Sequence, residues 1–259
     1  SMIHGLTVPG AIEAAQRAKG FNKGMFEWLR KAPWGNPAFA GMFLSLVMFG
    51  FLGGISGVVL GTEQINLIMH NTLYVPGHFH ATVVAGTTLA FMAITYLVVP
   101  LIFRREVMFP KIAQIQPYVF ALGIAGISLF MMGAGTLGVP RRHWDITFAD
   151  ALTSVQFSPA AFLTLALNGI SAIMAALGGG MYILVVVCSV FFGRRIGDTE
   201  KVQLGPATGA QSGAAVATYG NEGTLKIPGT VALVGVFFVS FVLYYYVNWK
   251  YLAELWPLK

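Results

Sequence analysis

The chain has 259 residues, 56% hydrophobic and 10% charged, with a formal net charge of +6 and a mean hydropathy of +0.71. A soluble domain carries about 25% charged residues, and the one cysteine, Cys188, can build neither a disulfide framework nor a cysteine metal cluster. These values exclude a secreted disulfide scaffold, a cytosolic enzyme and a nucleic-acid-binding domain, and assign the positive charge to the loops of a polytopic membrane protein.

Residues 1–12 are apolar but too short to span a bilayer, and they read as the stub of an incomplete helix. Residues 13–35 are basic, with Arg17, Lys19, Lys23, Arg30 and Lys31, and read as a loop on the membrane surface. Beyond them, five long apolar stretches lack Asp, Glu, Lys and Arg: 37–60, 64–103, 112–140, 151–193 and 227–249. Each holds the roughly 20 apolar residues needed to cross a hydrocarbon core about 30 Å thick. The first span is expected from Pro37 to Leu60, where Asn36-Pro37 suits a first helical turn. The others are expected near 70–103, 116–138, 158–192 and 228–249, the last closed by Tyr244, Tyr245, Tyr246 and Trp249 at the interface. Residues 36–193 thus form one four-helix membrane region and 227–259 a final helix. The Gly-, Ala- and Thr-rich stretch 194–226 reads as a flexible polar connection. With one crossing per apolar run, twelve of the sixteen Lys and Arg fall on one side. That side is cytoplasmic by the positive-inside bias. A hairpin within 151–193 would weaken the asymmetry, so a single crossing is expected there.

The second apolar run contains Tyr74-Val75-Pro76-Gly77-His78-Phe79-His80. Ionisable groups at membrane depth are costly, need partners and mark functional sites. At 100° per residue, positions i and i+2 point about 200° apart. His78 and His80 therefore cannot share one metal, but suit two cofactors on opposite faces of a helix. Neutral imidazole is a common haem ligand; the competing possibility is that both rings hydrogen bond to neighbouring helices. His70 precedes His78 by eight residues, roughly 12 Å along a continuous helix. Glu63 lies seven residues before His70 and would share its face, either as a proton-accepting cluster or as a solvated helix end. Arg141 and Arg142 follow Val139-Pro140 on the side poor in positive charge. Paired guanidiniums match carboxylates such as haem propionates, while snorkelling to the interface is the alternative.

These residues resemble subunit I of the haem–copper oxidases, specifically the B-type (ba3-like) cytochrome c oxidases. The resemblance rests on His70-Asn71-Thr72-Leu73-Tyr74-Val75-Pro76-Gly77-His78-Phe79-His80, on Trp28-Leu29-Arg30-Lys31-Ala32-Pro33-Trp34-Gly35-Asn36-Pro37-Ala38-Phe39, and on Val139-Pro140-Arg141-Arg142. It implies an all-α integral membrane protein whose five or so transmembrane helices form the C-terminal part of the subunit I bundle. It also implies His78 as proximal ligand of the high-spin haem, His80 as an axial ligand of the low-spin haem, and Phe79 between the two. Arg141 and Arg142 would hold propionates, with His70 and Glu63 near the proton exit. The family's copper ligands and the second low-spin haem ligand belong to helices preceding this match, which makes the chain a fragment or split half working beside the N-terminal portion of subunit I. The further partners implied are a subunit II with a copper centre, a c-type cytochrome donor and membrane lipid, with no nucleic acid. The implied activity is reduction of O2 to water coupled to proton translocation, in a bacterial or archaeal cell membrane. Asn66 stands where some relatives carry aspartate. The competing functions are a nitric oxide reductase fragment, a non-catalytic dihaem electron-transfer subunit and, least supported, a transporter.

Overall fold

The computed structural model describes residues 2–142, 157–197, 200, 202 and 227–255. Most of the 194–226 connection and His143 therefore lie outside the described residues. Helices follow in the order α1 (Met2–Ala18), α2 (Glu27–Arg30), α3 (Pro37–Gly61), α4 (Glu63–Met69), α5 (Tyr74–Ile102), α6 (Pro110–Thr136), α7 (Pro159–Phe192) and α8 (Pro228–Leu255). Five of them (α3, α5, α6, α7 and α8, the last over Pro228–Val247) are long and apolar enough to cross a membrane. Among the described residues there is no strand, and two isolated bridges join Thr72 to Pro140 and Arg105 to Arg195. The expected all-α membrane architecture is what the chain adopts.

Local chemistry sets most of the helix ends. Asn36 caps α3, its side-chain oxygen accepting from the amides of Ala38 (2.9 Å) and Phe39 (3.2 Å), which satisfies two donors that the first helical turn leaves free. Ser158 caps α7 through the Ala161 amide. The 34 residues of α7 form one unbroken helix, with no hairpin between Pro159 and Phe192. Pro110 opens α6 earlier than residue 116, because Phe109 takes a left-handed conformation (φ 53°) that turns the chain into the helix. α1 runs on to Ala18, well past residue 12, and the 70–73 segment, expected inside the second span, is a turn.

The core is the pair α6 and α7. Gly123 lies so close to Ala175 that a Cβ there would stand 2.7 Å from the Ala175 Cα, and a Cβ on Gly178 would stand 2.7 Å from the Phe120 Cα. Small residues replace the hydrophobic driving force that lipid removes, by letting backbones approach. Buried polar side chains pin the same region: Tyr96 on α5 donates to Gln116 on α6 (3.0 Å), and Gln116 donates to the Gly178 carbonyl (3.3 Å). Gln116 is fully buried, so both bonds act in a low-dielectric setting. On the expected cytoplasmic side, the loops after α5 and α7 join through Ile196 N–H to Arg104 (2.8 Å) and Glu106 N–H to Arg194 (3.0 Å). Arg194 also pairs with Glu106 and Glu200, and its guanidinium holds both carboxyls below their ordinary value.

The last span is anchored by α1. Glu13 is completely buried and receives Gly229 N–H (3.0 Å), Thr230 N–H (2.6 Å) and Arg17 Nε (2.8 Å). A carboxylate on two free amides at a helix start satisfies orphan donors and the positive end of the helix dipole. Burial works against its ionisation, but the bonds from Thr230, Arg17 and Gly229 outweigh it and lower its pKa. Large apolar side chains of α8 such as Val239, Leu243 and Tyr246 are otherwise exposed.

Two spans depart from α-geometry at the same level. Met48–Gly54 of α3 and His80–Thr88 of α5 are π-helical and lie side by side, with Gly53 against Thr82 and Gly86 against Phe49. Such wide turns are rare and concentrate at functional sites.

Candidate functional site

The turn at 70–73 is built by pairing with the end of α6. Leu73 donates its amide to the Val139 carbonyl (2.9 Å) and Arg141 donates to the Asn71 carbonyl (2.8 Å). Thr72 closes the turn by donating its hydroxyl to the Met69 carbonyl (2.9 Å). α5 therefore starts at Tyr74, and the helical rise between His70 and His78 does not apply. The same pairing brings Arg141 beside the start of the histidine helix, with a guanidinium nitrogen 3.4 Å from Asn71 Oδ1. Arg141 Nε is buried with no acceptor among the described residues. Arg142 follows in a left-handed conformation (φ 64°) with its side chain exposed. The two arginines thus face different surroundings.

His78 and His80 sit in the first two turns of α5, both half-buried, with Phe79 54% exposed between them. Their rings take different partners. His78 Nδ1 lies 2.9 Å from the Ser56 hydroxyl on α3. His80 Nδ1 lies 2.7 Å from the Pro76 carbonyl, one turn back on its own helix. A carbonyl only accepts, so the His80 proton is on Nδ1 and its Nε2 keeps a lone pair. Each ring is thus oriented by protein through Nδ1, the arrangement second-shell partners give to metal-binding imidazoles.

The register of α5 against α6 depends on Gly77. A Cβ there would stand 2.8 Å from the Met132 amide nitrogen and 2.9 Å from the Ser128 carbonyl oxygen. The residue between Pro76 and His78 thus lets α5 lie directly on the α6 backbone. A cleft of about 420 Å³ opens alongside, lined by Leu52, Ile55, Ser56, Tyr74, Met132 and Tyr244 among others.

His70 and Glu63 are both exposed. The His70 ring bonds to Asn66 Oδ1 (3.1 Å), one turn back in α4, and Asn66 in turn donates to the Leu60 carbonyl (2.7 Å). Glu63 stands at the start of α4, on its first turn. The structure joins His70 to Asn66 and not to Glu63.

Sequence reasoning missed Ser56 and Asn71. A lone serine in an apolar helix ordinarily bonds to its own preceding turn, and nothing in its spacing marks it. Asn71 acts through backbone and side chain together in a turn that only the α6 terminus creates.

A multi-pass helical membrane protein with two protein-oriented imidazoles at adjacent turns, beside a buried arginine donor, is the class defined so far. Residues 2–177 match the family model for "Cytochrome C and Quinol oxidase polypeptide I". The chain belongs to this family of haem–copper oxidase subunits. It is 33% identical over 154 residues to a cytochrome c oxidase subunit 1 of Thermus thermophilus, covering 58% of this chain and 27% of that one. A second Thermus thermophilus subunit 1 is 34% identical over 117 residues, 45% of this chain and 98% of that sequence. The cytochrome c oxidase polypeptide 1 of Halobacterium salinarum is 36% identical over 93 residues, 36% of this chain and 15% of that one. Among solved structures, the cryo-EM structure of a heme-copper terminal oxidase dimer superposes with a TM-score of 0.69 at 26% identity, covering 94% of this chain and 41% of that chain. The chain thus spans about a quarter of the first relative's length.

Proposed function

We propose that this chain forms the haem-ligating part of the catalytic subunit of a B-type terminal oxidase in a bacterial or archaeal cell membrane. The observation that carries this reading is the pair of imidazoles whose Nδ1 atoms are held by Ser56 and by the Pro76 carbonyl. The residues fit the group that the family implies: the His80 Nε2 lone pair suits iron, and the partnerless buried donor on Arg141 suits a propionate oxygen.

His78 holds the high-spin haem iron and His80 the low-spin one. Electron transfer from a c-type cytochrome through a copper-bearing subunit, and reduction of O2 to water, are the chemistry that bound haem and copper supply. The chain's own residues position and polarise. The Pro76 carbonyl fixes the His80 tautomer, and Phe79, between the two ligands in the chain, sets its ring 5.6 Å from that of His78. Arg141, tied to Asn71, presents its guanidinium to a propionate, with Arg142 as a second contact from the rim. His70, hydrogen bonded to Asn66, would be the proton acceptor nearest the propionates, with Glu63 at the start of the short helix that carries Asn66. Helices that precede the match in the family supply the copper ligands and the second low-spin ligand, and proton translocation belongs to the assembled enzyme.

The test is optical and elemental. In the complex containing this chain, His80→Ala removes the six-coordinate low-spin spectrum and His78→Ala removes carbon monoxide binding to the high-spin haem. Persistence of both signals in both variants overturns the ligand roles. Two haem irons with copper are expected per complex. Iron without copper replaces the oxidase reading by nitric oxide reductase, and a complex with neither metal refutes it altogether.

A further inference from the structure

Ser56 is 4% exposed and follows the π-helical segment of α3 by two residues. It is one of two hydroxyl-bearing residues in that span, the other being Ser45. Its Oγ donates backward to the Leu52 carbonyl, with the Gly53 carbonyl as a second acceptor at 3.1 Å. Those carbonyls can only accept, so the single hydroxyl hydrogen is committed to them. The lone pairs of Oγ then face His78 Nδ1 at 2.9 Å, and the proton of that bond belongs to the imidazole. The next residue, Gly57, presses on the same ring: a Cβ there would stand 3.0 Å from His78 Cε1. The first span thus holds the ring by the Ser56 hydroxyl at Nδ1, with the Gly53 carbonyl as a further backbone acceptor for the ring, and by close backbone approach at Cε1.

We propose that Ser56 is a positioning residue that fixes the tautomer and plane of His78 and, through them, the reduction potential of the iron that His78 holds. This rests on the reading of His78 as the residue that would hold the high-spin haem iron, given above. The run Nδ1–H to Oγ–H to carbonyl is a chain in which each bond polarises the next. An acceptor on Nδ1 raises the electron density that Nε2 delivers to a metal, which favours the ferric over the ferrous state. Because the hydroxyl sits on α3 and the histidine on α5, the potential is coupled to the packing of these two helices at their π-helical level.

The experiment is resonance Raman spectroscopy and redox titration of the high-spin haem in the complex containing this chain. Ser56→Ala lowers the frequency of the iron–histidine stretching band and shifts the ferric–ferrous equilibrium about tenfold toward ferrous, a rise of ~59 mV for one electron. Ser56→Thr, which keeps the hydroxyl, restores both values. Ser56→Cys, with a weaker acceptor, falls between; the Thr and Cys pair carries the test if the alanine variant does not assemble. A merely structural serine would move stability in these variants but neither the band nor the potential. His78→Gly with added imidazole separates the two claims. If that variant abolishes the band and imidazole restores it, while Ser56→Ala leaves band and potential as in the wild type, the inference on Ser56 fails and the ligand reading stands. If His78→Gly leaves the band in place, the ligand reading itself fails and Ser56 with it.

Discussion

Gly77→Ala isolates the contact that sets α5 against α6. The added methyl carbon would lie 2.8 Å from the Met132 amide nitrogen and 2.9 Å from the Ser128 carbonyl oxygen. Ordinary contact begins at 3.4 Å, so the two backbones must separate by 0.5 to 0.6 Å, the difference between these distances. Neither obstacle is a flexible side-chain tip, and α6 is held on its far side by Ala175 and Gly178 of α7. Overpacking of this kind costs about 1–3 kcal/mol, against a gain of about 1 kcal/mol in helix propensity from replacing glycine. The net loss, up to about 2 kcal/mol, lowers the thermal midpoint by up to about 4–8 °C at 2–4 °C per kcal/mol. His78 is the next residue, so the haem spectrum should broaden in parallel. The control is Gly169→Ala in α7, where a Cβ meets nothing within 4 Å and the midpoint should hold or rise. Differential scanning of the solubilised complex, with pyridine haemochrome assay of haem content, measures both. A Gly77→Ala complex with unchanged midpoint and spectrum, beside an equally unchanged Gly169→Ala, would refute the packing argument.

Three other outcomes are expected. Glu13→Ala strips the amides of Gly229 and Thr230 and leaves Arg17 partly buried without its partner; breaking a buried pair costs about 3–5 kcal/mol, and amide exchange at 229–231 should accelerate. The pKa of Glu13 is lowered in the folded chain, so its stabilisation is present above the ordinary value of 4.5 and is lost as pH falls through the lowered one. Protection at 229–231 should therefore survive at mildly acidic pH; loss beginning well above pH 4.5 would contradict the clasp. Glu106 and Glu200 follow the same sign beside Arg194, so the loop bonds at Glu106 and Ile196 should open only under acid, and high salt should weaken them because the carboxylates and guanidinium are exposed. A double-mutant cycle of Tyr96→Phe with Gln116→Leu should return a coupling of about 0.6 kcal/mol, the average for hydrogen bonds between membrane helices; zero coupling would mean that the 3.0 Å bond adds nothing to helix association.

The sequence alone determined the helical content, the five apolar spans and the one long helix between 159 and 192, because bilayer thickness fixes span length and charges cannot enter the hydrocarbon. It also marked His78 and His80, since imidazoles are conspicuous in an uncharged run, and Arg141, since positive charge is scarce on its side. The tertiary structure decided what these residues touch. The second span starts at Tyr74 because the end of α6 pairs with 71–73, a contact between segments some 70 residues apart, as the Arg141–Asn71 bond shows, which no local period encodes. Ser56 meets His78 across 22 residues, and Glu13 meets Gly229 across 216. Periodicity reports which face of a helix is apolar; it carries no information on which polar atom of another helix will arrive there. That depends on where small residues such as Gly77 and Gly178 let two backbones close together.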